Sequence, residues 1–269
     1  MNWNWLLPEP VSTFGSEIDS IYYLILVITA VIFVIVEVAL VVFMVKYRHR
    51  EGRRAEYSHG NTKLEVVWTV VPFILVMGIA WMSMRVWLEA KVADRGHVSE
   101  DALPLRVAAK QFEWNVTYPG LDGELDTADD FVKRNQLHLP VGRAVRIDLT
   151  SEDVIHSFFL PDFRVKQDAV PGMVIPVWFQ PTAVGEYPLG CAELCGLGHY
   201  RMRGSVTVHE VEAFDSWMLQ EGGQGTAVVT PAPADTAGVE LDAASTAPDA
   251  PRGDHPPSHQ PASEGKERA

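Results

Sequence analysis

Cysteine is scarce in this chain, with two residues in 269. That number excludes a disulfide framework as the source of stability. Their placement as Cys191 and Cys195, within one short segment, points to metal or redox chemistry instead. Basic charge is also in short supply: 22 Lys and Arg stand against 35 Asp and Glu, for a net charge of −13. Phosphate binding needs a basic face that this chain offers only in one short loop, so nucleic acid is excluded as a partner and a cationic partner fits better. The first 45 residues hold no Lys or Arg, which removes the basic n-region of a secretory signal peptide. No internal repeat is visible, and no Cys-x-x-Cys-His motif for attaching a c-type haem. After about residue 221 large apolar side chains are few and seven of the 18 prolines gather, a composition that cannot bury a core.

The mean hydropathy of +0.03 hides a concentration of apolar residues between positions 21 and 88. From Ile21 to Val45 the chain is apolar apart from Thr29, Glu37 and the pair Tyr22 and Tyr23, long enough to cross hydrocarbon as a helix. A second span runs from about Leu64 to Leu88, with Trp68 near one end, Trp81 and Trp87 near the other, and Pro72 close to its start. Between them, Lys46, Arg48, Arg50, Arg53, Arg54 and Lys63 face only Glu51 and Glu56. By the positive-inside rule this loop is cytoplasmic, and the N-terminus and everything after residue 90 lie outside. A two-helix hairpin in a bacterial-type inner (plasma) membrane is expected, in contact with lipid.

Two carboxylates fall in these spans. Glu37, inside the first, reads as a protonated or hydrogen-bonded group packed against a partner subunit, ahead of a proton-transfer role. Glu65, at the start of the second, reads from spacing alone as an interfacial carboxylate favoured by the helix dipole.

Residues from about Pro104 to His209 form short alternating segments rich in Val, Ile, Phe and Thr. Strands are expected over 105–107, 112–118, 136–139, 144–149, 155–160, 174–179 and 205–208, with a closing helix over 211–219. The fold class expected is a membrane-anchored all-β protein: a transmembrane hairpin followed by a Greek-key β-barrel or sandwich and a disordered tail. Four parts follow: an external segment 1–20, the hairpin 21–89 with its loop at 46–63, an external domain 90–221 and the tail 222–269.

The chemistry is concentrated between Cys191 and Met202. Cys195, His199 and Met202 make the ligand set of a mononuclear copper loop, in which thiolate, imidazole and a weak thioether suit electron transfer. Cys191 is a second soft thiolate that one copper does not need. Two thiolates bridging two copper ions would use both, and would call for a second histidine, for which His156 in the run Ser151 to Ser157 is the candidate. A Cys191–Cys195 disulfide would leave His199 and Met202 unexplained, and zinc does not recruit methionine.

The metal loop, the Ser-Glu-Asp-Val-Ile-His segment ending at His156, the Asp168 to Gly172 run and the Leu64 to Pro72 run together resemble subunit II of haem-copper cytochrome c oxidase. The resemblance covers about residues 15–219. It implies a cupredoxin-like domain that holds the binuclear copper centre CuA. Cys191 and Cys195 would bridge the two coppers, His156 and His199 would supply one imidazole each, and Met202 and the Glu193 carbonyl would be weak axial ligands. The Glu193 side chain would help hold a magnesium or manganese ion shared with oxidase subunit I. Glu65 matches the family glutamate at the cytoplasmic mouth of a proton path, a role that displaces its reading from spacing. The implied function is to accept electrons from cytochrome c or a similar external donor and pass them to subunit I, where oxygen is reduced to water.

This sequence departs from the family where electrons enter. The usual Gln-Trp-x-Trp arrangement here reads Gln111, Phe112, Glu113, Trp114, so Phe112 stands where the first tryptophan meets the donor, leaving Trp114 and the edge of the copper site. A serine followed by tryptophan is likewise replaced, by Ser157 and Phe158. The acidic run Asp122, Glu124, Asp126, Asp129 and Asp130 reads as a solvated turn, next as a docking patch for a basic cytochrome c, and last as a calcium site. The rival readings are a membrane-anchored copper chaperone or thiol oxidoreductase of the Sco type, a quinol oxidase subunit and the CuA subunit of a nitric or nitrous oxide reductase. A Sco-type protein is expected on a thioredoxin-like scaffold with one anchor, and a quinol oxidase subunit lacks the copper ligands.

Overall fold

A computed structural model describes residues 7–54, 57, 59–91 and 101–222. The tail expected to be disordered, with its His255 and His259, lies outside these residues. Two long helices come first, α1 over Gly15–Lys46 and α2 over Thr62–Lys91. Both are long and apolar enough to cross a membrane. Helix α2 starts where Asn61 accepts the N–H groups of Lys63 and Leu64 on its side-chain oxygen, at 3.1 and 3.3 Å, as an N-cap does. Pro72 sits in the third turn, where an apolar helix in lipid tolerates it.

Among the described residues, ten strands form two five-stranded sheets. One has the order β3 (Phe131–Arg134), β2 (Glu113–Tyr118), β1 (Leu103–Lys110), β5 (Val145–Ser151), β8 (Ile175–Phe179). The other has the order β4 (Gln136–Pro140), β10 (Arg203–His209), β9 (Gly185–Cys191), β6 (His156–Leu160), β7 (Val165–Ala169). Pairing is antiparallel except for β1 with β5 and β10 with β4. The alternation along β1 and β2 puts Leu105, Val107, Trp114 and Val116 inside, and Phe158, Leu137, Leu189 and Val206 meet them from the other sheet. Helix α3 (Val211–Gly222) covers one end, with Trp217 packed on Phe131, Tyr118 and His138 and Phe214 beside His209 and Trp217.

Seven of these strands match the expected segments; β3, β7 and β9 do not. β9 holds Pro188 and two glycines, all poor strand formers, yet it is paired on one side with β10 and on the other with β6. Tertiary pairing overrides local preference there.

Residues 11–15, within the expected external segment, pack onto the β-domain. Val11 and Phe14 are buried in the sandwich core, and Phe14 meets Trp178 edge to face. The Val11 N–H donates to Asp162 O, the Thr182 N–H donates to Val11 O, and the Ser12 hydroxyl donates to Phe163 O. Helix α1 therefore begins on the β-domain, six residues before the apolar run. A Cβ on Gly15 would come within 2.8 Å of Pro10 Cβ, so this turn needs glycine. One turn on, Asp19 takes a bidentate pair from Arg164, at 2.6 and 2.9 Å, which lets the polar first turns of α1 stay helical against the domain. At the matching end of α2, Lys91 Nζ donates to Lys166 O and Gln167 Oε1.

Candidate metal centre

Three pieces of chain meet at one end of the sandwich. His156 opens β6, Cys191 closes β9, and the loop that follows carries Cys195 and a short 3-10 turn, His199–Arg201, before Met202. The Cys191 N–H donates to Met202 O and the Ala192 N–H to Ser157 O, which fastens the loop to both neighbouring strands. Inside the loop the N–H groups of His199, Arg201 and Met202 close tight turns onto Gly196, Gly198 and His199.

The side chains converge. Cys191 Sγ and Cys195 Sγ are 3.9 Å apart and both thiols are free. Cys191 Sγ is 4.0 Å from His156 Nδ1 and 3.2 Å from the Glu193 carbonyl oxygen, and Cys195 Sγ is 3.6 Å from His199 Nδ1 and 3.7 Å from Met202 Sδ. Met202 Sδ is also 3.1 Å from His156 Nδ1. Among the described residues, His156, Cys191 and Cys195 are the one group of His, Cys, Asp and Glu side chains close enough to share a metal ion. Two thiols, two imidazoles and a thioether are a soft donor set that fits copper. Burial first, and then the neighbouring Cys191, push the Cys195 thiol up to about 11. The Cys195 proton is thus held tightly unless a metal cation displaces it.

Supporting contacts around the centre escaped the sequence reading. His156 Nε2 is 2.8 Å from Asp153 Oδ1, which fixes the ring so that Nδ1 faces the sulfurs. Burial opposes ionisation of Asp153, but the hydrogen bonds from His156 and from the Gln111 and Val154 N–H groups outweigh it and hold its carboxyl below the usual range. The Gln111 side chain donates to Cys195 O, and the Ser157 hydroxyl donates to Asp168. An acid three residues ahead of the histidine was the one available signal for Asp153.

Other expected site residues lie elsewhere or deeper. Trp114, expected where electrons enter, is wholly buried and packs edge-on against His156 and Phe158, so it forms no part of the outer surface. Phe112 is half-buried beneath the metal loop: a Cβ on Gly198 would collide with its ring, and one on Gly196, at φ 128°, would also crowd it. The loop's outer face is Leu194, Leu197 and Tyr200, with Leu197 98% exposed. The Glu193 side chain is exposed. Glu65 is near the far end of α2, roughly 40 Å along the helix from Lys91 at 1.5 Å per residue. The acidic run is knitted by its own hydrogen bonds: Asp126 to Arg106, Asp129 to the Leu121 N–H and Thr127, Asp130 to the Asp126 N–H. It does not gather into a metal-sized group.

Two family models match the chain: the transmembrane domain of cytochrome c oxidase subunit II over residues 1–86 and its periplasmic domain over residues 126–211. The chain is 32% identical over 241 residues to the alternative cytochrome c oxidase subunit 2 of Bradyrhizobium diazoefficiens, covering 81% of this chain and 84% of the relative. The chain belongs to the cytochrome c oxidase subunit II family. Another relative, cytochrome c oxidase subunit 2 of Thermostichus vulcanus, is 31% identical over 276 residues, covering 84% of this chain and 81% of that one. The crystal structure of the periplasmic domain of subunit II of cytochrome oxidase from Bradyrhizobium japonicum is 29% identical and covers 48% of this chain and 99% of that one, at a TM-score of 0.42. Family membership makes the two long helices a membrane anchor, and the sandwich the copper domain that the family implies.

Proposed function

We propose that this chain is the electron-accepting subunit of a terminal respiratory oxidase, taking electrons from cytochrome c or a similar periplasmic donor and passing them to subunit I for reduction of oxygen to water coupled to proton translocation. The observation that carries the proposal is the convergence of Cys191, Cys195, His156, His199, Met202 and the Glu193 carbonyl at separations of 3.1 to 4.0 Å. Cys191 and Cys195 would bridge two copper ions, His156 and His199 would bind one each, and Met202 and the Glu193 carbonyl would be the weak ligands. When bound, such a pair sharing thiolate bridges takes up and releases single electrons with little change in bond lengths.

The protein's own residues prepare the site for that task. Asp153 keeps His156 in one ring orientation, and Gln111 and Ser157 tie the loop backbone down, so little rearrangement accompanies a change of charge. The donor would dock over the apolar tip around Leu197 and Tyr200, with Phe112 supporting the loop from below and Trp114 behind His156. The exposed Glu193 carboxylate would share a magnesium or manganese ion with subunit I, and Glu65 would open a proton path on the cytoplasmic side. The β-domain would face the periplasm, as the basic loop between the helices supports.

The test is copper stoichiometry and electron paramagnetic resonance on the full chain in detergent. Two coppers sharing one unpaired electron are expected, lost in both Cys191→Ser and Cys195→Ser, whereas Met202→Leu should keep both coppers with an altered spectrum or potential. One copper per chain, or an unchanged spectrum in either cysteine variant, would refute the bridging assignment and turn the reading toward a Sco-type chaperone.

A further inference from the structure

Where α1 and α2 leave the β-domain, they enclose a groove of about 590 Å³ that the electron-transfer reading does not use. Its lining is ordered by depth. Outermost are Glu17 in the first turn of α1 and Glu89 near the end of α2. Arg85 lies one turn deeper on α2, about 6 Å below Glu89 at 1.5 Å per residue. Ile21, Met82 and Trp81 line the groove deeper still.

Among the described residues, neither Glu17, Arg85 nor Glu89 makes an ion pair or side-chain hydrogen bond, although Arg85 and Glu89 are spaced to meet on one helix face. Glu17 and Arg85 are exposed and Glu89 is half-buried, so among the described residues these charges stand open to a ligand at the mouth of an apolar groove.

We infer that this groove binds one aminophospholipid of the leaflet on the β-domain side, a phosphatidylethanolamine. The order of groups in that lipid, from water inward, is ammonium, phosphate, glycerol and acyl chain. The order in the groove is carboxylates, guanidinium and apolar side chains. Glu17 and Glu89 take the ammonium, Arg85 takes the phosphate through its planar fork, and Ile21, Met82 and Trp81 lie along an acyl chain. A phospholipid without the amine, such as phosphatidylglycerol, would satisfy Arg85 but leave both carboxylates facing a negative headgroup. The inference rests on the hairpin crossing the membrane and is independent of copper.

The experiment is native mass spectrometry of the delipidated full chain in detergent, titrated separately with dioleoyl phosphatidylethanolamine and dioleoyl phosphatidylglycerol. The native chain should retain one phosphatidylethanolamine about tenfold more tightly than phosphatidylglycerol, the size expected for charge-assisted hydrogen bonds. The double variant Glu17→Gln with Glu89→Gln should lose that preference while still binding both lipids, and Arg85→Gln should weaken both. Equal affinity for the two lipids in the native chain would overturn the inference, as would a preference that survives the double variant. A photocrosslinking analogue in place of Met82, used in intact membranes, gives a second reading. Crosslinks to phospholipid support the site, and crosslinks only to another polypeptide overturn it by showing that a partner subunit fills the groove.

Discussion

Inside the sandwich, Leu105, Val107, Trp114, Tyr118 and Phe158 are fully buried, whereas along α2 no residue is buried and on α1 Phe33 is 62% exposed. Both regions are rich in apolar side chains, but only the first encloses them. The sandwich supplies its own core from two facing sheets, so a substitution there removes contacts that nothing else replaces. The hairpin presents its apolar surface outward, and lipid or neighbouring helices must supply the other half of its packing. The metal centre sits on the self-sufficient half, where fixed strands hold ligands in place.

The largest expected effect breaks that half from within. Trp114→Ala should cost about 4 kcal/mol of sandwich stability through the cavity left beneath His156, read as a lowered midpoint in chemical denaturation of the full chain. Retention of the native midpoint would mean that the core does not depend on this ring. Next comes the seam between the two halves. The Arg164 and Asp19 side chains are 8% and 13% exposed, so Arg164→Ala strands a buried carboxylate and should cost about 3 kcal/mol. The double variant with Asp19→Ala should recover part of that loss, and no recovery would argue against a direct pair.

A smaller effect is set by pH. Burial first, then the charges of His209 and Lys133, with Glu221 opposing, lower His138 from 6.5 to about 4. The His138 and His209 rings are 2.9 Å apart through Nδ1 and Nε2, beside Trp217 and below the Tyr118 hydroxyl, which receives the His138 N–H. Because the folded value lies below the unfolded one, this neutral pair contributes stability fully above about pH 6.5 that is lost as pH falls towards 4. Melting temperature should drop across that window in the native chain and drop less in His138→Gln. The smallest effect belongs to the hairpin: Phe33→Ala should leave stability of the detergent-solubilised chain within about 0.5 kcal/mol, because the ring has few neighbours to lose. A large loss would show that the hairpin packs its own core after all.

Much of the architecture was legible because its signals are local. Two apolar runs separated by a basic loop announce a hairpin, and Cys191, Cys195, His199 and Met202 lie within 12 consecutive residues, so one loop announces most of the donor set. What was not legible depends on distant partners. β9 reads poorly because Pro188 and Gly190 are poor strand formers, held in the sheet by pairing with β10 and, at Gly190, also with β6. The burial of Trp114, named as an electron-entry candidate, was not legible because a strand's alternation does not say which face is inside. The docking of Val11 and Phe14 rests on hydrogen bonds to residues some 150 positions away, for which a polar stretch with two prolines gives no periodic hint. Gln111 could not be tied to Cys195 for the same reason.

The contacts made by Asp19 and Lys91 have a consequence for distance. Both fall on one β-hairpin: Arg164 is at its turn, Lys166 and Gln167 are on its second strand, and His156 starts its first strand opposite Ala169. Five residues of strand span about 16 Å, so β6 acts as a ruler between the membrane helices and the metal-binding end. Arg164 ties the turn of this hairpin to α1, and Lys91 of α2 meets it opposite Phe158 and Phe159, so both helices hold the strand that carries His156. Under the proposed electron-transfer role, lengthening the hairpin by a pair of residues on each strand would change the distance electrons must cross without touching a single donor atom.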